Sequence, residues 1–143
     1  GKAVFDQVPV AAFQRLPGDG YRDYVKPFRT VEDIHVSGAI LGFLLRIARA
    51  HHWPAASVET LLALIGLHQW LAAQPADAVS THLALAGARR QWDDWLQSVQ
   101  PHWALCPSEL AQAWQRDSAL FNVAAKARAQ RTQTAWQRLN GTP

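Results

Sequence analysis

Beyond residue 30, apolar positions recur at helical spacing along most of the chain, and the pattern predicts four helices. Between about Val31 and Ala50, the residues Val36, Ile40, Phe43, Leu44 and Ile47 fall on one face. Thr30 reads as the N-cap of this helix with Asp33 at its N3 position, and Pro27 disfavours helix at Lys26. Pro54 breaks the pattern and Ser57 reads as the cap of a second helix, about Val58 to Ala73. That helix is apolar nearly all round (Leu61, Leu62, Leu64, Ile65, Leu67, Leu71), which suits a central position contacted on several sides. After a turn at Gln74-Pro75-Ala76-Asp77, a third helix from about Val79 to Val99 carries Leu85, Ala88, Trp92, Trp95 and Val99 near heptad spacing. The loop from Pro101 to Pro107 leads to a fourth helix, from about Ser108 as its cap to Leu139, stopped by Asn140-Gly141.

Residues 1–29 have a different character. Val4 to Val10 reads as a short extended piece, and Leu16-Pro17-Gly18-Asp19-Gly20 as a turn in which proline presets φ and glycine allows positive φ. No strand–helix alternation, internal repeat or low-complexity tract competes with the helical reading. The expected fold is all-α: an antiparallel up-and-down four-helix bundle over residues 30–143. Residues 1–29 would be the tail of a preceding β-domain or a linker.

The composition narrows the function classes. With 143 residues, 49% hydrophobic and 17% charged, the chain can bury a core of its own and is not of disordered type. A net charge of +3 is a mild excess, where a nucleic-acid binder more often concentrates a basic stripe. The single Cys106 excludes an internal disulfide and a thiolate metal cluster, which suits a reducing compartment. No apolar run reaches the ~20 residues of a membrane span, and the first residues do not read as a signal peptide. The expectation is a soluble cytoplasmic domain with no membrane contact. A start at Gly1 and the lack of methionine suggest a segment of a longer protein.

Candidate chemistry is sparse. His51-His52 closes the first helix, where imidazoles pair with terminal carbonyls. His68 and His82 lie on consecutive helices, but no carboxylate or cysteine pattern completes a zinc shell, so no metal is assigned. Cys106 sits beside a helix N-terminus without a recognisable His/Asn partner pattern, and it reads as structural. Dinucleotide-type and P-loop glycine patterns are absent. Arg116, Lys126, Arg128, Arg131 and Arg138 share the last helix with Trp114 and Trp136, an interleaving that can bind single-stranded nucleic acid. Asp117 and Glu109 dilute that charge, so this is the weakest functional reading. Glu32 stands in the first turn of the first predicted helix. There the dipole alone accounts for a carboxylate, and a general base facing a ligand is the functional alternative.

Several segments together resemble the C-terminal helical domain of acyl-CoA dehydrogenases and the end of their β-domain. Val8-Pro9-Val10 followed by Leu16-Pro17-Gly18-Asp19-Gly20 is similar to the family's β-domain exit, usually "VP…VLG(E)G". His35 to Ala48 resembles its first C-domain helix, rich in small residues. Arg116-Asp117 with Leu120, Phe121 and Val123 resembles its "RD…I(Y)…I" stretch, and Arg128 to Leu139 matches its closing helix loosely. The resemblance implies a domain packed beside FAD and an acyl-CoA, within a homo-oligomer that passes electrons to an acceptor. A glutamate in such enzymes removes the α-proton of the thioester. Most members keep it in a "YEGT" sequence, which here reads Ala124-Ala125-Lys126-Ala127. A minority place it at the start of the first C-domain helix, and an ungapped alignment puts Glu32 there. Asp33 stands where an arginine commonly follows the relocated glutamate. The family's flavin-contacting "RxxFG…Q" stretch has no counterpart around Arg49 to Pro54. Its "GGxG" loop reads Gln100-Pro101-His102-Trp103.

Two functional expectations follow. The first is the helical domain of an acyl-CoA dehydrogenase-like flavoprotein, with Glu32 as candidate base and FAD held mostly outside this segment, inert in isolation. The second is a non-catalytic interaction or oligomerisation bundle that has lost the flavin and base motifs.

Overall fold

The computed structural model describes residues 3–141, and they are all-helical, with no strand among them. The α-helices are α1 (Lys26–Ala50), α2 (Ala55–Ala72), α3 (Val79–Ser98), α4 (Ser108–Asp117) and α5 (Ala125–Leu139). A π-helical turn, Gly20–Val25, runs directly into α1, and 3-10 turns occupy Ala12–Gln14, Gln100–Leu105 and Ser118–Asn122. α1 packs on α2, α2 on α3, and α3 on α5.

The first helix starts earlier than the sequence predicts, because its N-terminal cap is Asp19, not Thr30. The Asp19 carboxylate accepts from the Arg22 N–H at 2.6 Å, and Asp23 reaches back to accept from the Asp19 N–H at 2.8 Å. This reciprocal pair satisfies backbone donors that the first turn leaves without intrahelical partners. Gly18, at φ +82°, makes the turn ahead of it, and a Cβ there would collide with the Asp23 carboxylate. Pro27 falls where the π-helical turn passes into α1, a change of hydrogen-bond register that accommodates a residue without an N–H. Thr30 is instead buried inside α1, with its hydroxyl 3.4 Å from His82 Nε2.

α2 and α4 each begin just after a proline. Pro54 O accepts from the Ser57 and Val58 N–H groups, and Pro107 O from those of Leu110 and Ala111. Ser57 and Ser108 therefore lie inside their helices and do not cap them. α1 ends on the backbone of His52, whose φ is +51°. The His52 N–H donates to Arg49 O and the Trp53 N–H to Ala48 O, the two bonds of a Schellman motif. Helix termination thus uses the main chain of this His-His pair where the sequence pointed to its imidazoles.

The predicted fourth helix is two helices. No proline or glycine lies between Ser108 and Leu139, so the break is tertiary in origin. Phe121 turns toward Trp92 and Trp114, with ring centroids 6.4 and 5.6 Å away. The carbonyl of Phe121 accepts from Arg128 Nη2 at 2.7 Å, and the Asn122 side chain from Arg89 Nη2 at 3.2 Å. These bonds replace part of what the interrupted helical ladder gives up.

The main core is formed by Leu41, Leu44 and Ile47 of α1, Leu61 and Leu64 of α2, and a tryptophan-rich layer. Trp53 meets Trp95 and Trp103 at 6.2 and 5.3 Å, and Trp103 stacks on Trp114 at 5.2 Å. Ile34, Leu71, Leu85 and Ala88 form a smaller cluster. The α3 positions expected inside (Leu85, Ala88, Trp92, Trp95, Val99) are all buried. The α1 stripe is rotated from its prediction: Leu44 and Ile47 are buried, but Val36 and Phe43 face outward and Ile34 and Leu41 take their place. α2 is long and apolar enough by length and composition to cross a membrane; here it packs between α1 and α3, with Leu62 and Trp70 exposed.

Candidate functional site

Glu32 lies in the second turn of α1, not the first, because the helix begins at Lys26. It is exposed and takes part in no ion pair among the described residues. At 100° per residue, Phe28, Arg29, His35, Val36, Ala39, Phe43 and Arg46 share its face of the helix. Three of these are large apolar side chains left uncovered: Phe28 is 59% exposed, Val36 52% and Phe43 37%. Glu32 is therefore a carboxylate in the middle of an apolar stripe. His35 Nδ1 donates to Val31 O at 2.8 Å, because a carbonyl only accepts. The stripe continues into an apolar groove of about 300 Å³ between α1 and α4, lined by Ile40, Phe43, Leu110, Trp114 and Phe121.

The neighbouring Asp33 points the other way. Its carboxylate pairs with Arg131 of α5, and Arg128 lies 3.8 Å off. All three side chains are about one-fifth exposed. Arg128 is pushed below the usual guanidinium range, first by burial and then by the charge of Arg89. His68 and His82, on α2 and α3, line the same cavity as these groups. His68 donates from Nδ1 to Leu64 O at 2.8 Å, and His82 from Nε2 to Ala76 O at 2.9 Å. Burial lowers the pKa of both imidazoles, so both favour the neutral form.

The structure separates the remaining candidates. Cys106 is half-buried against the main core. Arg116 is exposed and paired with Asp117 at 2.7 Å, whereas Arg128 and Arg131 turn inward and Trp114 joins the tryptophan layer. The basic and aromatic residues of α4 and α5 therefore do not share one exposed stripe. Ser57 Oγ lies 3.2 Å from His102 Nε2 and ties the start of α2 to the 3-10 turn before α4. Among the described residues no three histidines, cysteines or carboxylates converge as metal ligands.

The two stretches where the resemblance implies flavin contacts serve the core instead. Trp53, beyond the end of α1, and Trp103, in the Gln100–Leu105 turn, are both buried and meet edge to face. Those residues do not fit a flavin. The Arg89–Arg128–Arg131 convergence was not apparent in the sequence; its one local signal is the Arg89–Asp93 pair at i,i+4 spacing, 3.0 Å apart. Comparison of the chain with protein-family models, with curated proteins and with solved structures finds no match in any of the three.

Proposed function

We propose that this chain is the helical domain of an acyl-CoA dehydrogenase-like flavoprotein, a class that oxidises the α,β-bond of an acyl-CoA thioester with FAD as hydride acceptor. The observation that carries the reading is the position of Glu32 within the uncovered apolar stripe of α1. A carboxylate becomes an effective base for a weakly acidic C–H when a dry surrounding raises its pKa. A second surface laid over Phe28, Val36 and Phe43 would supply that dryness, and the adjoining groove is apolar enough for an acyl chain. In this reading Glu32 takes the α-proton, FAD is held by parts of the protein outside this segment, and an external acceptor receives the electrons. The covering surface comes from a preceding domain or from a second copy in a cytoplasmic homo-oligomer. The exposed Val4, Phe5, Val8, Val10 and Phe13 ahead of α1 also favour a chain that is covered in its full context.

We propose further that the helices form an antiparallel up-and-down four-helix bundle, α4 and α5 sharing the fourth rod. The α1–α2, α2–α3 and α3–α5 neighbours support this. The visible absorbance spectrum of the intact protein, purified without added cofactor, tests the functional reading first. Near-stoichiometric oxidised flavin supports it, and Glu32→Gln should then abolish α-proton exchange on an acyl-CoA while flavin stays bound. Exchange at the unaltered rate would remove Glu32 from the chemistry.

A second reading is favoured by one observation: Trp53 and Trp103 fill the core where the resemblance implies flavin contacts. On that reading the bundle is a non-catalytic interaction or oligomerisation module, and the same apolar stripe is its contact surface. A colourless protein that takes up no FAD and self-associates through Phe28 and Phe43 would select it.

A further inference from the structure

Away from the Glu32 face, a cavity of about 420 Å³ lies among α1, α2, α3 and α5, and its lining is rich in cationic donors and poor in acceptors. Arg89, Arg90, Arg128 and Arg131 line it, with Asp33 as the single carboxylate. Asp33 is shared between Arg131 and, at 3.8 Å, Arg128, so with Asp93 on Arg89 two carboxylates face four guanidiniums. Arg89 is partly neutralised on its outer side by Asp93, at 3.0 Å, and stacks over Trp92 at 4.6 Å. Arg90, at the rim, takes part in no ion pair among the described residues.

Two further side chains belong to this lining. Trp92 is 1% exposed and its indole N–H has no acceptor. His68 is also buried, with only its Nδ1 engaged. A partly buried cluster of like charges is costly to assemble, and an oxyanion in the cavity would relieve that cost.

We propose that this cavity binds a small phosphate-bearing molecule, its oxyanion held by Arg89, Arg90 and Arg128 and its body resting against Trp136. Guanidiniums match the forked geometry of phosphate oxygens, and more than one excess positive charge favours a dianion over a single carboxylate. The volume is that of a small-molecule site and exceeds what free phosphate fills. Trp136, which is half exposed, borders it, whereas Trp92 is buried beneath Arg89. The proposal is independent of the acyl-CoA reading, since no part of it uses Glu32 or its face.

The test is titration of the intact chain with inorganic pyrophosphate at constant ionic strength, followed by calorimetry and tryptophan fluorescence. Saturable submillimolar binding is expected, weakened roughly tenfold or more by Arg90→Gln and by Arg128→Gln. Arg116→Gln, which removes an exposed arginine elsewhere, should leave it unchanged. Arg90 holds no ion pair, so its variant reports on the site even if Arg128→Gln loosens the fold. Absence of saturable binding, or equal weakening by Arg116→Gln, overturns the site. Phenyl phosphate should bind more tightly than inorganic phosphate, and equal affinity would overturn the role given to Trp136.

Discussion

Asp33 and Arg131 stand 98 residues apart in the chain and form a partly buried ion pair that ties the start of α1 to α5. Both side chains are less than one-fifth exposed, and Arg128 sits on the same carboxylate. Removing the acid therefore leaves two half-buried cations without a counter-charge, which is where breaking an ion pair is most destabilising. Asp33→Asn should lower stability by roughly 2–4 kcal/mol. Urea unfolding followed by circular dichroism checks this, and a loss under ~1 kcal/mol, typical of exposed pairs, would show the pair to be solvated.

The two buried histidines give the fold a pH dependence of known sign. Burial depresses the folded-state pKa of His68 and His82 below the ordinary 6.5. Between the folded and unfolded values the unfolded chain binds more protons, so stability rises with pH across that window. Stability should be fully present above about pH 6.5–7 and fall as the solution is acidified below it. The thermal midpoint measured from pH 7.5 to 5.5 should drop, and His68→Leu should flatten the drop. A midpoint that does not change over that range would contradict the neutral, buried assignment.

Much of this architecture is legible in the residue pattern, and what is not has a tertiary cause. The spacing of Leu85, Ala88, Trp92, Trp95 and Val99 identifies the inner face of α3 because the opposite face, Leu83 apart, is mostly polar or small. α1 offers apolar residues on two faces, so period alone does not tell the core side (Ile34, Leu41, Leu44, Ile47) from the uncovered side (Phe28, Val36, Phe43). Its early start was hidden because Pro27 reads as a breaker, whereas at the junction of a π-turn with an α-helix it is tolerated. The interruption after Asp117 carries no proline or glycine and arises from Phe121 reaching Trp92 and Trp114. Glu32 could be singled out as a helix carboxylate, but its exposed apolar setting required the orientation of α1. The pairing of Asp33 with Arg128 and Arg131 required knowing which helices meet.

His52 holds a left-handed backbone conformation at the end of α1, at the position where glycine is usual. An L-residue there carries a steric cost of about 1–2 kcal/mol, offset in part by the lower unfolded-state entropy of a side-chain-bearing residue. The His52 side chain is exposed, so its loss removes little packing. His52→Gly should therefore stabilise the protein by roughly 0.5–1 kcal/mol, read as a higher thermal midpoint. A lower midpoint would mean that the imidazole itself holds the helix end.

Trp53 joins the end of α1 to α3 and to the 3-10 turn before α4 through its contacts with Trp95 and Trp103. It is 4% exposed, and its indole N–H has no acceptor. Its contribution is therefore packing alone, reduced by the cost of an unmet donor. Trp53→Ala should cost about 3–5 kcal/mol by leaving a cavity between three elements. Trp53→Phe retains a ring against Trp103 and removes the unpaired N–H, so it should cost less than half as much. The comparison of the two variants in urea separates packing from polarity. If Trp53→Phe is as damaging as Trp53→Ala, the indole N–H has a partner in solution and the packing account of this layer fails.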